Sequence, residues 1–171
     1  KIGVIFFSDR IEKFIPPKKG RKHILYIIRE LLDFKPESKR TNLQGAIEYL
    51  TNVLKKRCTA FVLSDFIDDS DFKNALTVAN RKHDVIAMQV YDRRMEELPD
   101  VGLMRVRDAE TGHEQWIDTS SKALRNAHHA WWMERQEKLN DIFTRSNVDS
   151  VSVRTDQDYV KALMNLFAKR N

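Results

Sequence analysis

Apolar and polar positions along the chain change period several times, and each change predicts a new strand or helix. A continuous apolar run over residues 2–7 predicts a buried strand. Alternation over 11–15 predicts a second strand that Pro16 and Pro17 end. The two strands form a hairpin whose second member lies at a sheet edge, because proline donates no hydrogen bond to a ladder. A helix over 21–34 follows, with apolar residues at helical spacing up to Pro36.

Strands and helices continue to alternate through the rest of the chain. The pattern predicts a helix capped by Thr41 or Asn42, strand 59–64, a helix of about ten residues after Asp71, strand 84–91, a long helix over 121–145, strand 148–153 and a closing helix over 159–167. Such alternation is typical of a parallel sheet covered on both faces by helices. We therefore expect an α/β fold with three layers and a doubly wound, mostly parallel sheet that has an antiparallel edge strand. The closing helix is expected to bury Val160, Leu163, Met164 and Phe167.

Residues 92–119 interrupt this rhythm. Two alternating runs, 102–108 and 114–118, surround a turn in which Gly112 is expected to have a positive φ. This predicts a β-hairpin insertion at about 99–119 within one domain over 1–171. The buried strand begins at the second residue with no lead-in, so we also expect this to be a partial domain that lacks an upstream part.

Composition narrows the class of protein. The chain has 171 residues, 42% of them hydrophobic, and a net charge of +5, which permits acidic partners without requiring them. The basic clusters have no interleaved aromatic residues, so we expect no nucleic-acid binding. No run reaches the roughly 18 apolar residues of a membrane span, and the start is unlike a signal peptide. We expect a cytoplasmic protein in which the lone Cys58 packs beside strand 59–64.

Oxygen-bearing side chains follow strand 59–64 and precede the second helix. Ser64 and Asp65 come directly after the strand, where open α/β sheets bind ligands. Thr41 is placed on the adjacent loop, unless it caps the helix. Because Mg²⁺ is held by one or two carboxylates, other oxygens and several waters, Thr41 and Asp65 are candidate metal ligands.

Several short motifs together resemble a known bacterial family. They are Phe6-Phe7-Ser8-Asp9, Pro16-Pro17-Lys18-Lys19-Gly20, Thr41-Asn42-Leu43, Phe61-Val62-Leu63-Ser64-Asp65-Phe66 and Arg107-Asp108-Ala109-Glu110-Thr111-Gly112. Over essentially its whole length, the chain resembles the family called domain of unknown function 58. The resemblance implies a fold like the von Willebrand factor type A domain. It also implies a link to MoxR-type AAA+ ATPases, beside which such proteins are commonly encoded.

The resemblance further implies a metal-ion-dependent adhesion site. Thr41 matches the second element of that site and Asp65 the third, while the first, an Asp-x-Ser-x-Ser loop, is absent from these residues. We therefore expect the chain to bind Mg²⁺ weakly or not at all, and a longer parent to bind it if the upstream loop is present. The missing part would include the first strand and helix of the domain. Its absence would expose apolar strand edges and favour self-association.

The function expected from these features is non-enzymatic protein binding. A MoxR-type AAA+ ATPase or its client is the expected partner in protein assembly or maturation. On the long helix we expect Trp131 to face inward and Trp132 outward as a partner anchor. The candidate contact residues are Ser8, Asp9, Asn42, Ser64, Asp68 and Trp132.

Other functions stay open at this point. A metal-dependent hydrolase or phosphatase would use the same rim, with Asp65 holding a metal that activates water; the one acid-base candidate nearby is Asp9. Nucleic-acid binding would show a steep fall of affinity with salt. His128 and His129 are adjacent on a helix and face apart, so we expect solvated residues there rather than a chelating pair.

Overall fold

The computed structural model describes residues 1–68, 70–108 and 111–170. Asp69, Ala109, Glu110 and Asn171 lie outside the described residues, and two of them, Ala109 and Glu110, belong to the Asp-Ala-Glu-Thr-Gly motif. In chain order the elements are β1 (Ile2–Phe7), β2 (Ile11–Lys18), α1 (Arg21–Asp33), α2 (Leu43–Val53), β3 (Thr59–Ser64), α3 (Lys73–Lys82), β4 (Asp84–Tyr91), α4 (Arg93–Glu96), β5 (Leu103–Arg107), β6 (Glu114–Asp118), α5 (Lys122–Arg145), β7 (Asp149–Arg154) and α6 (Tyr159–Lys169).

The described strands form three sheets rather than the single expected sheet. β3, β4 and β7 make a parallel sheet in that order, β1 and β2 make an antiparallel pair, and β5 and β6 make another. The mixed α/β class and the parallel crossovers are as predicted, and so is the hairpin insertion. The single continuous sheet is not observed, because β1 and β3 do not pair with each other.

Helices cover the strands on two sides. On one side, α2, α3 and α5 enclose the main core with the inner faces of β3 and β4, and Phe7 at the end of β1 packs against it. Its members are mostly aliphatic and aromatic: Leu43, Ile47, Val62, Phe66, Phe72, Ala75, Leu76, Ala79, Val85, Ala87, Leu139, Phe143 and Val148. On the other side, α1 packs on β1, where Phe34 stacks on Phe6, and α6 packs on β7.

Local sequence signals explain several boundaries. Asn42 caps α2, since its side-chain oxygen accepts a hydrogen bond from Gly45 N at 2.8 Å. β4 is apolar on both faces because helices cover both, and Val85, Ile86 and Ala87 are buried in succession. Gly112 has a φ of 73° in the turn between β5 and β6, as expected.

Three details of the predicted elements are wrong. β2 continues through Pro16 and Pro17 to Lys18, which an edge strand tolerates because the ring nitrogens need no partner. The closing helix buries Leu166, whereas Val160, Met164 and Phe167 are exposed. The short helix α4 was not predicted, and it is held by α5, whose His128 and His129 rings bond the carbonyl oxygens of Arg94 and Glu96.

Candidate functional site

The carboxyl ends of β1 and β3 meet at the amino end of α2. Ser8 follows β1, and its carbonyl oxygen accepts a hydrogen bond from Asn42 N at 3.0 Å. Asp68 lies in the loop after β3, and its Oδ2 accepts a hydrogen bond from Leu43 N at 2.6 Å. These two bonds bring the loop that carries Thr41 and the loop that carries Asp65 to the same edge of the molecule. We call this edge, formed by residues 8–9, 41–43 and 64–68, the rim.

The two residues at the start of α2 have separate roles. Asn42 supplies the cap, so the hydroxyl of Thr41 is not needed for it. Among the residues that the structure describes, this hydroxyl has no hydrogen-bond partner, and the side chain is half-buried. Thr41 therefore presents a free oxygen at the rim.

The turn after β3 is held in a strained backbone conformation. Ser64 Oγ accepts a hydrogen bond from Phe66 N at 3.0 Å, and Asp65 Oδ1 accepts one from Ile67 N at 3.0 Å. Phe66 has a φ of 56°, which costs a bulky residue about 1–3 kcal/mol. The strain is compensated by packing, because the buried Phe66 ring meets Phe143 edge-on at 5.1 Å. The turn leaves the Asp65 side chain exposed.

Polar side chains from the neighbouring elements, among them the buried Gln89, hold the backbone of this turn by hydrogen bonds. Gln89 on β4 donates to the carbonyl oxygen of Asp65 at 3.4 Å, and Ser152 on β7 donates to Gln89 Oε1 at 3.0 Å. Arg135 on α5 donates to the carbonyl oxygen of Phe66 at 3.0 Å. All three strands of the parallel sheet, together with α5, therefore position the backbone at Asp65.

A carboxylate that sequence reasoning missed organises the other half of the rim. Glu12 on β2 accepts hydrogen bonds from Ser8 Oγ at 2.6 Å, Glu37 N at 3.2 Å and Ser38 N at 3.3 Å. The hydrogen bond from Ser8, followed by the backbone bonds, holds the pKa of Glu12 below its ordinary value. Glu12 appears in the sequence as one polar position of an alternating strand, so only its contacts reveal this role. Asp9, beside Ser8, is exposed.

Asp68 is committed to holding the loop in place. Its Oδ2 accepts hydrogen bonds from Leu43 N at 2.6 Å and Ser70 Oγ at 2.7 Å, and its Oδ1 accepts one from Ser70 N at 2.8 Å. A carboxylate at the amino end of a helix is also favoured by the helix dipole. Asp68 thus ties the β3 loop to α2, and the side chains left exposed at the rim are Asp9 and Asp65.

The side chains at the rim do not form a complete cation cage. The oxygen donors in the predicted positions are the free hydroxyl of Thr41 and the exposed carboxylate of Asp65. Within residues 1–68, 70–108 and 111–170, no three His, Cys, Asp or Glu side chains lie close enough together to hold a metal ion. Mg²⁺ dehydrates reluctantly and is bound tightly where several oxygens converge, so this donor set does not fit it without further ligands.

The expected orientation of the two adjacent tryptophans is wrong. Trp132 is 3% exposed, whereas Trp131 is 46% exposed. Trp132 packs on Tyr91 with ring centroids 5.0 Å apart, on the same stripe of α5 as Leu139 and Phe143. Trp132 is therefore excluded as a partner anchor, and Trp131 occupies the outward position.

Trp131 is connected to the rim. The guanidinium of Arg135 lies over the Trp131 ring, 5.9 Å from its centroid, and the same guanidinium donates to Phe66 O at the strained turn. One arginine thus links an exposed aromatic ring on α5 with the backbone beside Asp65.

A polar cavity of about 250 Å³ lies at the opposite, amino end of the parallel strands, lined by residues that include His83 and Asp84. Nearby, Cys58 Sγ lies 3.5 Å from His83 Nδ1. Burial raises the pKa of Cys58, and burial lowers the pKa of His83. Both groups are therefore favoured in their neutral forms, which does not suit a thiolate nucleophile. Cys58 packs beside β3 as expected.

These features define a mixed α/β protein with a polar rim at the carboxyl ends of its strands. The chain belongs to the family described as protein of unknown function DUF58, whose match covers residues 1–138. The membership confirms the family resemblance drawn from the motifs. The family description assigns no activity.

Two mycobacterial proteins are similar to this chain. An uncharacterized protein of Mycobacterium tuberculosis is 27% identical over 174 residues, which cover 99% of this chain and 54% of the relative. One from Mycobacterium avium is 25% identical over 158 residues, which cover 91% of this chain and 93% of the relative. The chain therefore spans about half the length of the Mycobacterium tuberculosis relative.

A solved structure shares the fold. The crystal structure of the conserved hypothetical protein BatB from Bacteroides thetaiotaomicron superposes with a TM-score of 0.56 at 15% identity, over 98% of this chain and 77% of the BatB chain. In the described part of this chain, no helix has the length and apolar character needed to cross a membrane.

Proposed function

We propose that the protein is a non-enzymatic module that binds a protein partner at the rim. The observation that carries the proposal is the connection through Arg135, which joins the turn at Asp65 to the exposed ring of Trp131. Tryptophan and arginine are enriched where interfaces derive most of their binding energy. Arg135 contacts both the Trp131 ring and the backbone of the turn that carries the Asp65 carboxylate, so the carboxylate and the aromatic ring form a small, ordered contact surface.

The surface is suited to binding because it is already ordered. Gln89, Arg135 and Asp68 hold the backbone of both loops by hydrogen bonds, so little loop entropy is lost when a partner docks. The exposed carboxylates of Asp9 and Asp65 and the free hydroxyl of Thr41 present oxygens to the partner. Lysine, arginine or backbone amide donors of a partner match these oxygens.

The finer proposal concerns the fold and the partner. The resemblance to von Willebrand factor type A domains supports a rim of the adhesion-site kind, and the common genetic association supports a MoxR-type AAA+ ATPase or its client as the partner in protein assembly. Because the donor set here is incomplete, direct contact with the rim is proposed for this chain. Mg²⁺ enters the proposal only for a longer parent that adds the missing ligands to Thr41 and Asp65.

No specific observation favours the hydrolase alternative. A general acid at the rim would need a raised pKa, whereas the pKa of Glu12 is lowered by its hydrogen bonds. Cys58 and His83 lie at the other end of the strands, where burial raises the pKa of Cys58 and lowers the pKa of His83. The proposed role therefore remains binding.

The test is a calorimetric titration of the chain with a purified MoxR-type ATPase. We expect Asp65→Ala and Trp131→Ala each to weaken binding at least about tenfold. A tenfold loss of affinity corresponds to about 1.4 kcal/mol of binding free energy, as expected for the loss of one interface anchor. Asp71→Ala is the matched control, since Asp71 is an exposed acid of the same loop region outside the rim. Circular dichroism checks that each variant is folded.

Two results would contradict the proposal. Equal affinity for Asp65→Ala, Trp131→Ala and the unsubstituted chain would place the contact elsewhere. No binding by the unsubstituted chain would remove the proposed partner. A parallel titration with Mg²⁺ alone checks the metal expectation, because heat of tight binding would show that Thr41 and Asp65 suffice as protein ligands.

A further inference from the structure

Four helices end at the same edge of the parallel sheet. The helices α2, α3 and α5 precede β3, β4 and β7 in turn, so their carboxyl ends lie at the amino edge of these strands. The helix α6 runs back from β7 to the same edge, because Arg170 at its end forms ion pairs with Asp84 and Asp149 at the starts of β4 and β7. This edge is opposite the rim.

Basic side chains collect at this edge, which we call the basic edge. They belong to the ends of the helices and to the loop after α2: Lys55, Lys56, Arg57, Arg81, Lys82, Arg145, Lys169 and Arg170. Arg145 and Arg170 form ion pairs with aspartates, and Lys82 donates to the carbonyl oxygen of Thr51. The remaining members are exposed, and none of them forms an ion pair with an acidic side chain that the structure describes.

Helix ends account for part of this charge. Arg81 and Lys169 lie in the last turns of α3 and α6, where a cation is stabilised by the helix dipole. Lys55, Lys56 and Arg57 lie beyond the cap of α2 at Leu54, so the same explanation does not apply to them. Three adjacent cations repel one another, and an anion that docks on this loop would relieve the repulsion.

A small polar recess lies within the basic edge. It is the cavity of about 250 Å³ already described, and it is lined by Arg57, Asn80, His83, Asp84, Val85, Asn147, Asp149 and Arg170. Asn80 is held by Asn147 O and Val85 N, and Arg170 is held by its two aspartates. In the described part of the chain, the guanidinium of Arg57 has no hydrogen-bond or ion-pair partner. The volume is below the roughly 300 Å³ of small-molecule pockets, so the recess suits a single side chain.

We propose that the basic edge binds an acidic segment of a partner protein, with one Asp or Glu side chain seated in the recess against Arg57. A guanidinium binds a carboxylate through two parallel hydrogen bonds. Neighbouring acidic residues of the segment lie near the exposed lysines of the same edge. This contact is separate from the rim and does not depend on what binds there.

The shape and lining of the recess favour a protein segment over other polyanions. A carboxylate on a side-chain stem can enter a recess, whereas the phosphates of a duplex or a bilayer lie along an extended surface. No Phe, Tyr or Trp lines the recess among the described residues, so the bases of a single strand find no ring to stack on. Val85 is buried and is not available to insert into lipid.

The test measures the fluorescence anisotropy of a labelled oligoglutamate peptide titrated with the chain. We expect Lys56→Gln/Arg57→Gln to weaken binding at least about tenfold. The matched control is Lys39→Gln/Arg40→Gln, which removes the same charge from another exposed loop and should change the affinity less than about twofold. Circular dichroism and urea unfolding check that both variants are folded. Equal affinities of the two variants would overturn the proposal.

Two single substitutions sharpen the assignment. Arg57→Lys keeps the charge but loses the planar fork, so binding should weaken about threefold or more; an unchanged affinity would overturn the seat at Arg57. Asp65→Ala at the rim should bind the peptide as the unsubstituted chain does, so failure of the rim proposal leaves this result unaffected.

Other anions provide the last comparison. The same chain is titrated with duplex DNA and with phosphatidylserine vesicles at about 200 mM salt, where non-specific phosphate binding is weak. We expect the peptide to bind more tightly than either. Tighter binding of the DNA or the vesicles that is lost in Lys56→Gln/Arg57→Gln would identify phosphate as the ligand and overturn the proposal.

Discussion

The two faces of β3 differ in how far other parts of the molecule cover them. Val62 points into the core formed by α2, α3 and α5, where Leu43, Ile47 and Leu76 are almost completely buried. Phe61 and Leu63, one residue to either side, point to the opposite side of the strand and are 42% and 57% exposed. Both faces are apolar in sequence, but apolar residues stabilise the fold only where something covers them.

The enclosed face of β3 therefore stabilises the fold, whereas the open face is available for contact with another element or partner. The enclosed face supplies most of the apolar burial and fixes the backbone of the rim. The open face has comparable apolar residues, but they are exposed and so contribute little burial. Substitutions on the two faces should therefore have very different effects on the free energy of unfolding.

The largest effect is expected for Leu76→Ala on the enclosed face. Leu76 is fully buried on α3 within the main core. Its truncation should reduce the free energy of unfolding by about 2–5 kcal/mol, because it removes apolar burial and leaves a cavity. Urea unfolding followed by circular dichroism measures the change. A loss below about 1 kcal/mol would show that the enclosed side is also loosely packed.

A smaller effect is expected for Asp68→Ala, at the junction between the core and the rim. The substitution removes the acceptor for Leu43 N and Ser70 N, which should cost about 1–2 kcal/mol, as for loss of a helix cap. Asp71→Ala is the control, since Asp71 accepts one long bond of 3.4 Å from Lys73 N. Equal unfolding free energies for the two variants would mean that Asp68 does not hold the loop.

Glu12 should make stability depend on acidity. Its pKa is lowered in the folded protein, so its contribution is fully present above the unfolded value of about 4.3 and is lost as the pH falls through the folded value. Urea unfolding at pH 7 and pH 3 should show a smaller acid-induced loss for Glu12→Gln than for the unsubstituted chain. Equal losses would show that the carboxylate is not held by Ser8 and the loop at 37–38.

The smallest effect is expected for Leu32→Ala on the exposed apolar side of α1. Leu32 is 81% exposed, so the free energy of unfolding should change by no more than about 0.5 kcal/mol. The measurement is the same urea titration used for Leu76→Ala. A loss approaching that of Leu76→Ala would mean that α1 is covered in solution, and the contrast between the two faces would disappear.

Much of the fold was predictable from local signals. The strands β3, β4 and β7, the helices between them and the hairpin with Gly112 follow from periodicity and turn chemistry. The separation of the strands into three sheets was not predictable, because apolar runs mark a strand without naming its neighbour. An apolar stripe on a helix likewise does not show what covers it, so Val160, Met164 and Phe167 of α6 were expected in the core although they are exposed.

The candidate site was predictable in part. Thr41 and Asp65 were selected because they flank elements whose ends meet at one edge, and the bonds of Ser8 and Asp68 to α2 place their loops there. Glu12, Gln89 and Arg135 were missed, since each acts through a contact with a residue distant in sequence. The role of Thr41 and Asp65 as metal ligands or as contacts for a partner stays a prediction.

The hydrophobic pattern of α5 does not determine which of the two adjacent tryptophans, Trp131 or Trp132, faces the core. Adjacent residues on a helix lie about 100° apart, and α5 has polar residues on every side, so its inner stripe was ambiguous. Contact with Tyr91 placed Trp132 inside and left Trp131 outside beside Arg135.

By itself the sequence determined where most of the helices and strands lie and limited the cap of α2 to Thr41 or Asn42, because these depend on side chains a few positions apart. The tertiary structure decided which strand ends meet, which tryptophan is exposed and which apolar face is covered. Those outcomes depend on packing and hydrogen bonds between residues far apart in the chain, such as Ser8 with Asn42 and Gln89 with Ser152. A linear pattern records which side chains are available for such contacts, and the folded chain selects among them by the free energy of burial and pairing.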